Sequence, residues 1–265
     1  MESFATKASR SSLRPELILQ DLAQSGQVDV LLEVHDSVGS TNDLVLAHRD
    51  EIRTGRVVAV TADEQSAGRG RLDRQWSSPW GAGVALSLGI DSQLVTHVAT
   101  SVPLIVGLAV TQALAECGVT AQVKWPNDVL LEGYVPGKVA GVLVQYVNDV
   151  FVIGIGINCT LTREELPTEM ATSLSLAGHT IAREELIARV IERVCVLLMS
   201  PLEWRTKYRA ASATLGRDVT VTVSGDRQLV GRAVDVLPDG SLTLESAGET
   251  IQVTLGDVEQ LRTVN

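Results

Sequence analysis

The chain has 265 residues, 45% of them hydrophobic, which supplies one sizeable core with room for a small second domain and excludes a disordered protein. Its formal net charge of −10 excludes general attraction to nucleic acid or anionic lipid, so any phosphate site has to be local. Three scattered cysteines, Cys117, Cys159 and Cys195, form neither a disulfide framework nor a metal knuckle, and His35, His48, His97 and His179 lack metal-ligand spacing.

Met1 to Arg10 contains no apolar signal-like run, and no later stretch is expected to span a bilayer, which implies a soluble protein in a reducing, cytoplasmic setting. Leu17, Ile18 and Leu22 recur at helical spacing within residues 14–24, with Gly26 as the stop before a strand over 28–34. This opening leaves little room for a helix-turn-helix reader, so operator binding is not expected.

Ser40 or Thr41 is predicted to cap a helix through Leu44, Val45 and Ala47, its hydroxyl taking free amide donors. A β-branched strand follows at 57–61, then a Gly- and Arg-bearing loop over 65–83 and a strand at 84–90. Residues 99–117 are apolar on a helical pattern that Gly118 ends. Strands at 122–125, 129–131, 139–146 and 150–157 alternate with turns at Pro126-Asn127-Asp128 and Asn148-Asp149, which predicts a mixed or antiparallel sheet.

After a polar connection over 160–172 come helices at 183–199 and 204–211. From Arg217 the pattern changes to short strands at 219–223, 229–236, 241–244 and 250–254, with turns at Ser224-Gly225-Asp226 and Pro238-Asp239-Gly240. A small β barrel is the expected closure. The fold class is therefore α+β, with one domain over residues 1–215 and a second over 216–265.

Four motifs carry chemistry. In Gly68-Arg69-Gly70-Arg71-Leu72-Asp73-Arg74-Gln75-Trp76, glycines let amides crowd an anion while guanidinium groups supply planar, permanent charge. Trp76 and Trp80 stand beside that run and could cover a ligand ring; the alternative is a solvated basic loop. Lys124-Trp125-Pro126-Asn127-Asp128 places a cation and a carboxylate across a turn, with a plain turn as the alternative. Lys138 opens an apolar strand, where its ammonium needs an anion unless it snorkels into water. Gly154-Ile155-Gly156-Ile157-Asn158 permits close ligand approach, or else marks a glycine bulge. Neither a Walker loop nor a complete dinucleotide fingerprint is present.

Ser40-Thr41-Asn42, Gln65, GRGRLDRQW, KWPNDVLL, GKVAGVLVQ and GIGIN together resemble, in order and spacing, the biotin protein ligases, closely from Val34 to Asn158 and more loosely beyond. The resemblance implies a central mixed sheet flanked by helices, of the class II synthetase and biotin ligase type, with an SH3-like C-terminal domain. It implies ATP and biotin as substrates with Mg2+: the biotin carboxylate attacks the α-phosphorus, and a carrier lysine then displaces AMP. In that scheme Arg69, Arg71, Lys124 and Lys138 neutralise charge, and Asp128 orients the incoming amine or a bound metal.

By the same resemblance Ser40, Thr41, Asn42 and Gln65 hold the biotin head, and Arg69, Gly70, Arg71 and Lys138 grip its carboxylate and the α-phosphate. Trp76 and Asn158 fall on the nucleotide side, while Arg74, Asn127, Gly141 and Gly156 complete the ligand-contacting set. No dedicated protein metal site is expected. The segment Thr172-Ser173-Leu174 is expected to fold over the adenylate. The implied partner is the biotin carboxyl carrier domain of an acyl-CoA or pyruvate carboxylase, and the implied state is a monomer or weak homodimer. Two rivals stand beside this reading: a lipoate ligase or related acyl transferase, and a non-catalytic regulator that senses ligand.

Overall fold

The computed structural model describes residues 10–26, 28–71, 74–132, 135–201, 203–223, 227–254 and 256–260; Leu72-Asp73 and the Ser224-Gly225-Asp226 turn lie outside them. Helix α1 (Pro15–Ser25) starts on a proline whose fixed φ suits a first helical turn, and it ends at Gly26, left-handed at φ 59°. Strands β1 (Val30–Val38), β2 (Val57–Gln65), β3 (Gly83–Asp91), β4 (Ala121–Lys124), β5 (Asp128–Leu131), β6 (Gly137–Val147) and β7 (Val150–Asn158) form a seven-stranded sheet. The order is β1-β2-β3-β7-β6-β5-β4, with β1 and β2 parallel and every other pair antiparallel. The sheet is mixed, as expected.

Alternation along β3 and β7 divides the two faces by size. Leu86, Leu88 and Ile90 on β3, with Ile153, Ile155 and Ile157 on β7, join the main core with helices α4 (Val102–Glu116) and α5 (Arg183–Met199). Their neighbours in register on the opposite face are small: Ser87 pairs with Gly154, and Ala85 with Gly156. Bulk is thereby concentrated on one side and a cleft is left on the other.

That other face is covered only in part, by α2 (Thr41–Val45) and α3 (Arg49–Arg53), whose Val45 and Ile52 pack on Val58, Val60, Val150 and Val152. The helix expected through Ala47 is broken, since residues Leu46–His48 tighten into a 3-10 turn. Ser40 is the cap residue, yet its side chain makes no cap hydrogen bond. The bland alternative for Gly154 also fails, because β7 keeps continuous register through it on both sides.

Ala99–Glu116 is long and apolar enough to cross a membrane by length and composition, but 67% of that stretch is buried inside the protein. It is apolar all round because α5 and the sheet enclose it. Helix α6 (Arg205–Ala210) leads to β8 (Asp218–Thr222), β9 (Gln228–Val236), β10 (Leu242–Ser246), β11 (Glu249–Val253) and β12 (Asp257–Gln260). These five strands form an antiparallel sheet in the order β11-β10-β9-β8-β12 around buried Val219, Val221, Ala233, Leu242 and Leu244. Strand β12, four residues long and returning beside β8, had no alternating pattern of its own to announce it. The second sheet is tied to the rest of the protein: Trp125 Nε1, in the turn after β4, donates to Gly240 O at 2.9 Å, and Arg209 Nε of α6 pairs with Asp235 Oδ1 at 2.6 Å.

The ion pair between Arg183 and Asp63 is enclosed in the larger unit. Arg183 Nη2 lies 2.7 Å from Asp63 Oδ1, and their side chains are 9% and 1% exposed. Asp63 also accepts from the Leu13 amide, and Arg183 donates to Ser11 O and Gly83 O, so the pair fastens the chain before α1 to β2, β3 and α5. Asp63→Ala strands a buried guanidinium and should destabilise the protein by about 3–5 kcal/mol in urea unfolding; a loss below about 1 kcal/mol would contradict this role.

Candidate active site

The small-residue face opens into a cleft of about 450 Å3. All the predicted contact residues line it: Ser40, Thr41, Asn42, Gln65, Arg69, Gly70, Arg71, Arg74, Trp76, Lys124, Asn127, Asp128, Lys138, Gly141, Gly156 and Asn158. Trp80 does not; it is 40% exposed elsewhere, so the expected second ring over the site is absent from the lining.

The closed, polar end is built by the start of α2. Thr41 donates its backbone N–H to Gln65 Oε1 at 2.8 Å, and Asn42 Nδ2 donates to Gln145 Oε1 at 2.9 Å. The Asn42 side chain lies across Gly154, where a Cβ would stand 2.6 Å from Asn42 Oδ1. Glycine at 154 is thus required by close approach rather than by backbone conformation.

The basic loop folds back on itself. Gly70 N donates to Arg74 O at 2.7 Å and Trp76 N to Gly68 O at 2.9 Å, so its two limbs run side by side. A Cβ at Gly68 would lie 2.4 Å from Trp76 O, which explains that glycine. The Trp76 indole is laid over Gly156 and Gly141, and Lys138 Nζ sits 5.6 Å from its ring centroid, within cation–π range.

A bulge sets Lys138. Leu130 pairs with Lys138 but Val129 with Ala140, so Val139 is the extra residue and the face each side chain takes is reset. Val139 and Ala140 enter the core while Lys138 and Gly141 both line the cleft. Lys138 neither snorkels nor waits unpaired: Asp128 Oδ1 lies 2.6 Å from its Nζ.

Five cations line the cleft, Arg69, Arg71, Arg74, Lys124 and Lys138, against two carboxylates, Asp128 and Asp257. Arg71 donates to Asn127 Oδ1 at 3.1 Å and to Gly256 O at 3.4 Å, and Arg74 Nη2 meets Asp257 Oδ2 at 2.6 Å. Arg69 pairs with exposed Asp43 at the rim. Lys124 has no ion pair among the described residues. Asp257 and Val258 of β12 were missed by sequence reasoning, because nothing local connects that short strand to a loop so distant in sequence.

The connection after β7 needs correction. Thr172 and Ser173 are fully buried, Asn158 Nδ2 donates to Thr172 O at 2.9 Å, and Leu174 N donates to Asn158 O at 2.9 Å. Thr172-Ser173-Leu174 is a packed support for Asn158, not a flap; Pro167, Thr168 and Ala171 form the cleft wall there. Cys159 is no nucleophile, since burial pushes its thiol up to about 12 and keeps it protonated.

The comparisons place this mixed sheet, with its cation-lined cleft, among the protein ligases. Residues 34–161 match the biotin/lipoate A/B protein ligase family, and 214–260 match the biotin protein ligase C terminal domain. A biotin--[acetyl-CoA-carboxylase] ligase of Mycobacterium tuberculosis is 32% identical over 269 residues, covering 96% of this chain and 99% of that one. The bifunctional ligase/repressor BirA of Salmonella typhimurium is 31% identical, covering 84% of this chain and 71% of that protein. The biotin protein ligase of Aquifex aeolicus, solved in complex with biotin and ATP, superposes with a TM-score of 0.67 at 26% identity, covering 89% of this chain and 99% of that one. The chain belongs to the biotin protein ligase family.

The stacking of Trp76 over Gly156 is directly testable. A Cβ at position 156 would stand 2.2 Å from Trp76 Cε2, so Gly156→Ala should displace the indole and change the tryptophan emission spectrum. Introduced into Trp76→Phe, the same substitution should leave emission unaltered; an equal change in that background would contradict the contact.

Proposed function

We propose that this protein activates biotin with ATP and transfers it to a lysine of the biotin carboxyl carrier domain of a carboxylase, acetyl-CoA carboxylase being the partner named for its relatives. The observation that carries this reading is the convergence of cations from three separate segments on one cleft with a closed polar end. A carboxylate and a triphosphate repel each other, and fixed positive charge in a partly enclosed site offsets that repulsion at no reorganisation cost.

In the first step a biotin carboxylate oxygen attacks the α-phosphorus, the bond to the pyrophosphate oxygen breaks, and biotinyl-5′-AMP remains. Lys138 and Arg71 flank the reacting oxygens, Lys124 faces the phosphates, and Trp76 shields the nucleotide side. The biotin head lies against Thr41, Asn42 and Gln65. In the second step the carrier lysine nitrogen attacks the anhydride carbonyl carbon and AMP departs. Asp128, bridged to Lys138, receives and orients that amine.

Mg2+ would neutralise phosphate charge. Among the described residues no group of three or more His, Cys, Asp or Glu side chains is arranged to hold a metal, and both cleft carboxylates are engaged by cations. That donor set fits an ion carried on the ATP phosphates rather than one held in a protein cage. We assign the ligase domain to residues 1–215 and the SH3-like domain to 216–265, in a monomer or weak homodimer.

Incubation with biotin, MgATP and a carrier domain should add one biotinyl increment to the carrier by intact-mass measurement, and lipoate in place of biotin should add nothing. Lys138→Ala should slow biotin-dependent pyrophosphate exchange by about 100-fold or more, the usual effect of losing one preorganised transition-state donor. An unmodified carrier with the wild-type protein would sink this reading.

A further inference from the structure

At the closed end of the cleft, one side chain organises the lining without belonging to it. Ser87 on β3 is fully buried and is not part of the cleft wall, yet its Oγ lies 2.6 Å from Thr41 Oγ1 and 2.6 Å from Asn42 Oδ1. Thr41 Oγ1 is also 2.9 Å from Gln65 Oε1, and Asn42 is held on its far side by Gln145. Thr41 and Asn42 are adjacent in sequence, but their side chains are linked to each other through Ser87.

Gln65, Thr41, Ser87 and Asn42 thus form one continuous hydrogen-bonded row: Thr41 Oγ1 donates to Gln65 Oε1, which also accepts from the Thr41 backbone N–H, and Ser87 Oγ donates to Asn42 Oδ1. Thr41 and Gln65 both line the cleft, and their oxygens keep lone pairs able to accept.

We infer that Ser87 is a positioning residue: by holding the Thr41 hydroxyl and fixing the Asn42 amide, it sets the oxygens of the closed end to accept from ligand N–H groups. A cyclic urea satisfies such an end, whereas a ring without N–H donors leaves buried acceptors unpaired, which discriminates strongly between otherwise similar ligands. Only a small group that both donates and accepts fits, because both neighbours stand at 2.6 Å. The inference rests on the reading above, in which the biotin ring occupies this end.

Ser87→Ala removes the link without adding bulk. Its biotin affinity by calorimetry, its separate KM values for biotin and ATP in pyrophosphate exchange, and its Tm should be compared with those of the wild type. The expected result is a rise of about 10-fold or more in biotin Kd and KM, with kcat and ATP KM within about 3-fold and Tm within about 5 degrees. A biotin KM within about 2-fold of wild type overturns the inference, as does a joint loss of kcat and both affinities with a larger fall in Tm. Failure of the wild-type protein to exchange pyrophosphate in response to biotin would instead overturn the functional reading, and this inference with it.

Discussion

The architecture depends on one steric constraint, the absence of bulk from one stretch of a single face of the central strands. On β3 and β7 the residues facing α4 and α5 are leucine and isoleucine, while the residues paired across the strands on the other side are Ser87 with Gly154 and Ala85 with Gly156. Side chains at Gly154 or Gly156 would collide with Asn42 and Trp76, which lie over them in the cleft. Close packing elsewhere makes this tolerable, because the apolar face already encloses most of helix α4 and carries most of the burial. The cleft is therefore where the sheet forgoes packing, and both Asn42 and Trp76 use the freed space to approach the backbone directly.

Electrostatics follows from that geometry. An acidic chain of net charge −10 gathers five cations around one opening and holds most of them with its own carboxylates. Asp43 takes Arg69, Asp128 takes Lys138, and Asp257 takes Arg74. These internal anions keep the cations in place and limit mutual repulsion, at the expense of some attraction for an incoming ligand. The last of them comes from the second sheet, so the C-terminal unit contributes a side chain to the rim as well as burying Trp125 against Gly240.

Much of this was legible in the sequence because it is local. Helix α5 occupies the residues its periodicity defines, and the glycines and arginines of the 68–76 run do converge with Lys124 and Lys138, which their spacing alone could not establish. What escaped depends on tertiary context. Ser87 reads as one polar residue in an apolar strand, and only the register against Gly154 and the return of α2 give it partners. Strand β12 is too short for a period and meets the basic loop across more than 180 residues of chain. Thr172-Ser173-Leu174 looks like exposed polar connection, and its burial follows from backbone hydrogen bonds to Asn158 that no local pattern encodes. The bulge at Val139 likewise depends on the partner strand, although it decides which way Lys138 points.

The central claim is that the small-residue face is the reaction chamber. A crystal structure with biotin and a non-hydrolysable ATP analogue tests it most directly. The account predicts the ring at the Thr41 and Asn42 end over Gly154, with the carboxylate and α-phosphate between Lys138 and Arg71 beside Gly156. Ligand density outside this cleft, for example in the groove lined by Asp21, Glu185 and Glu192 between α1 and α5, would contradict it.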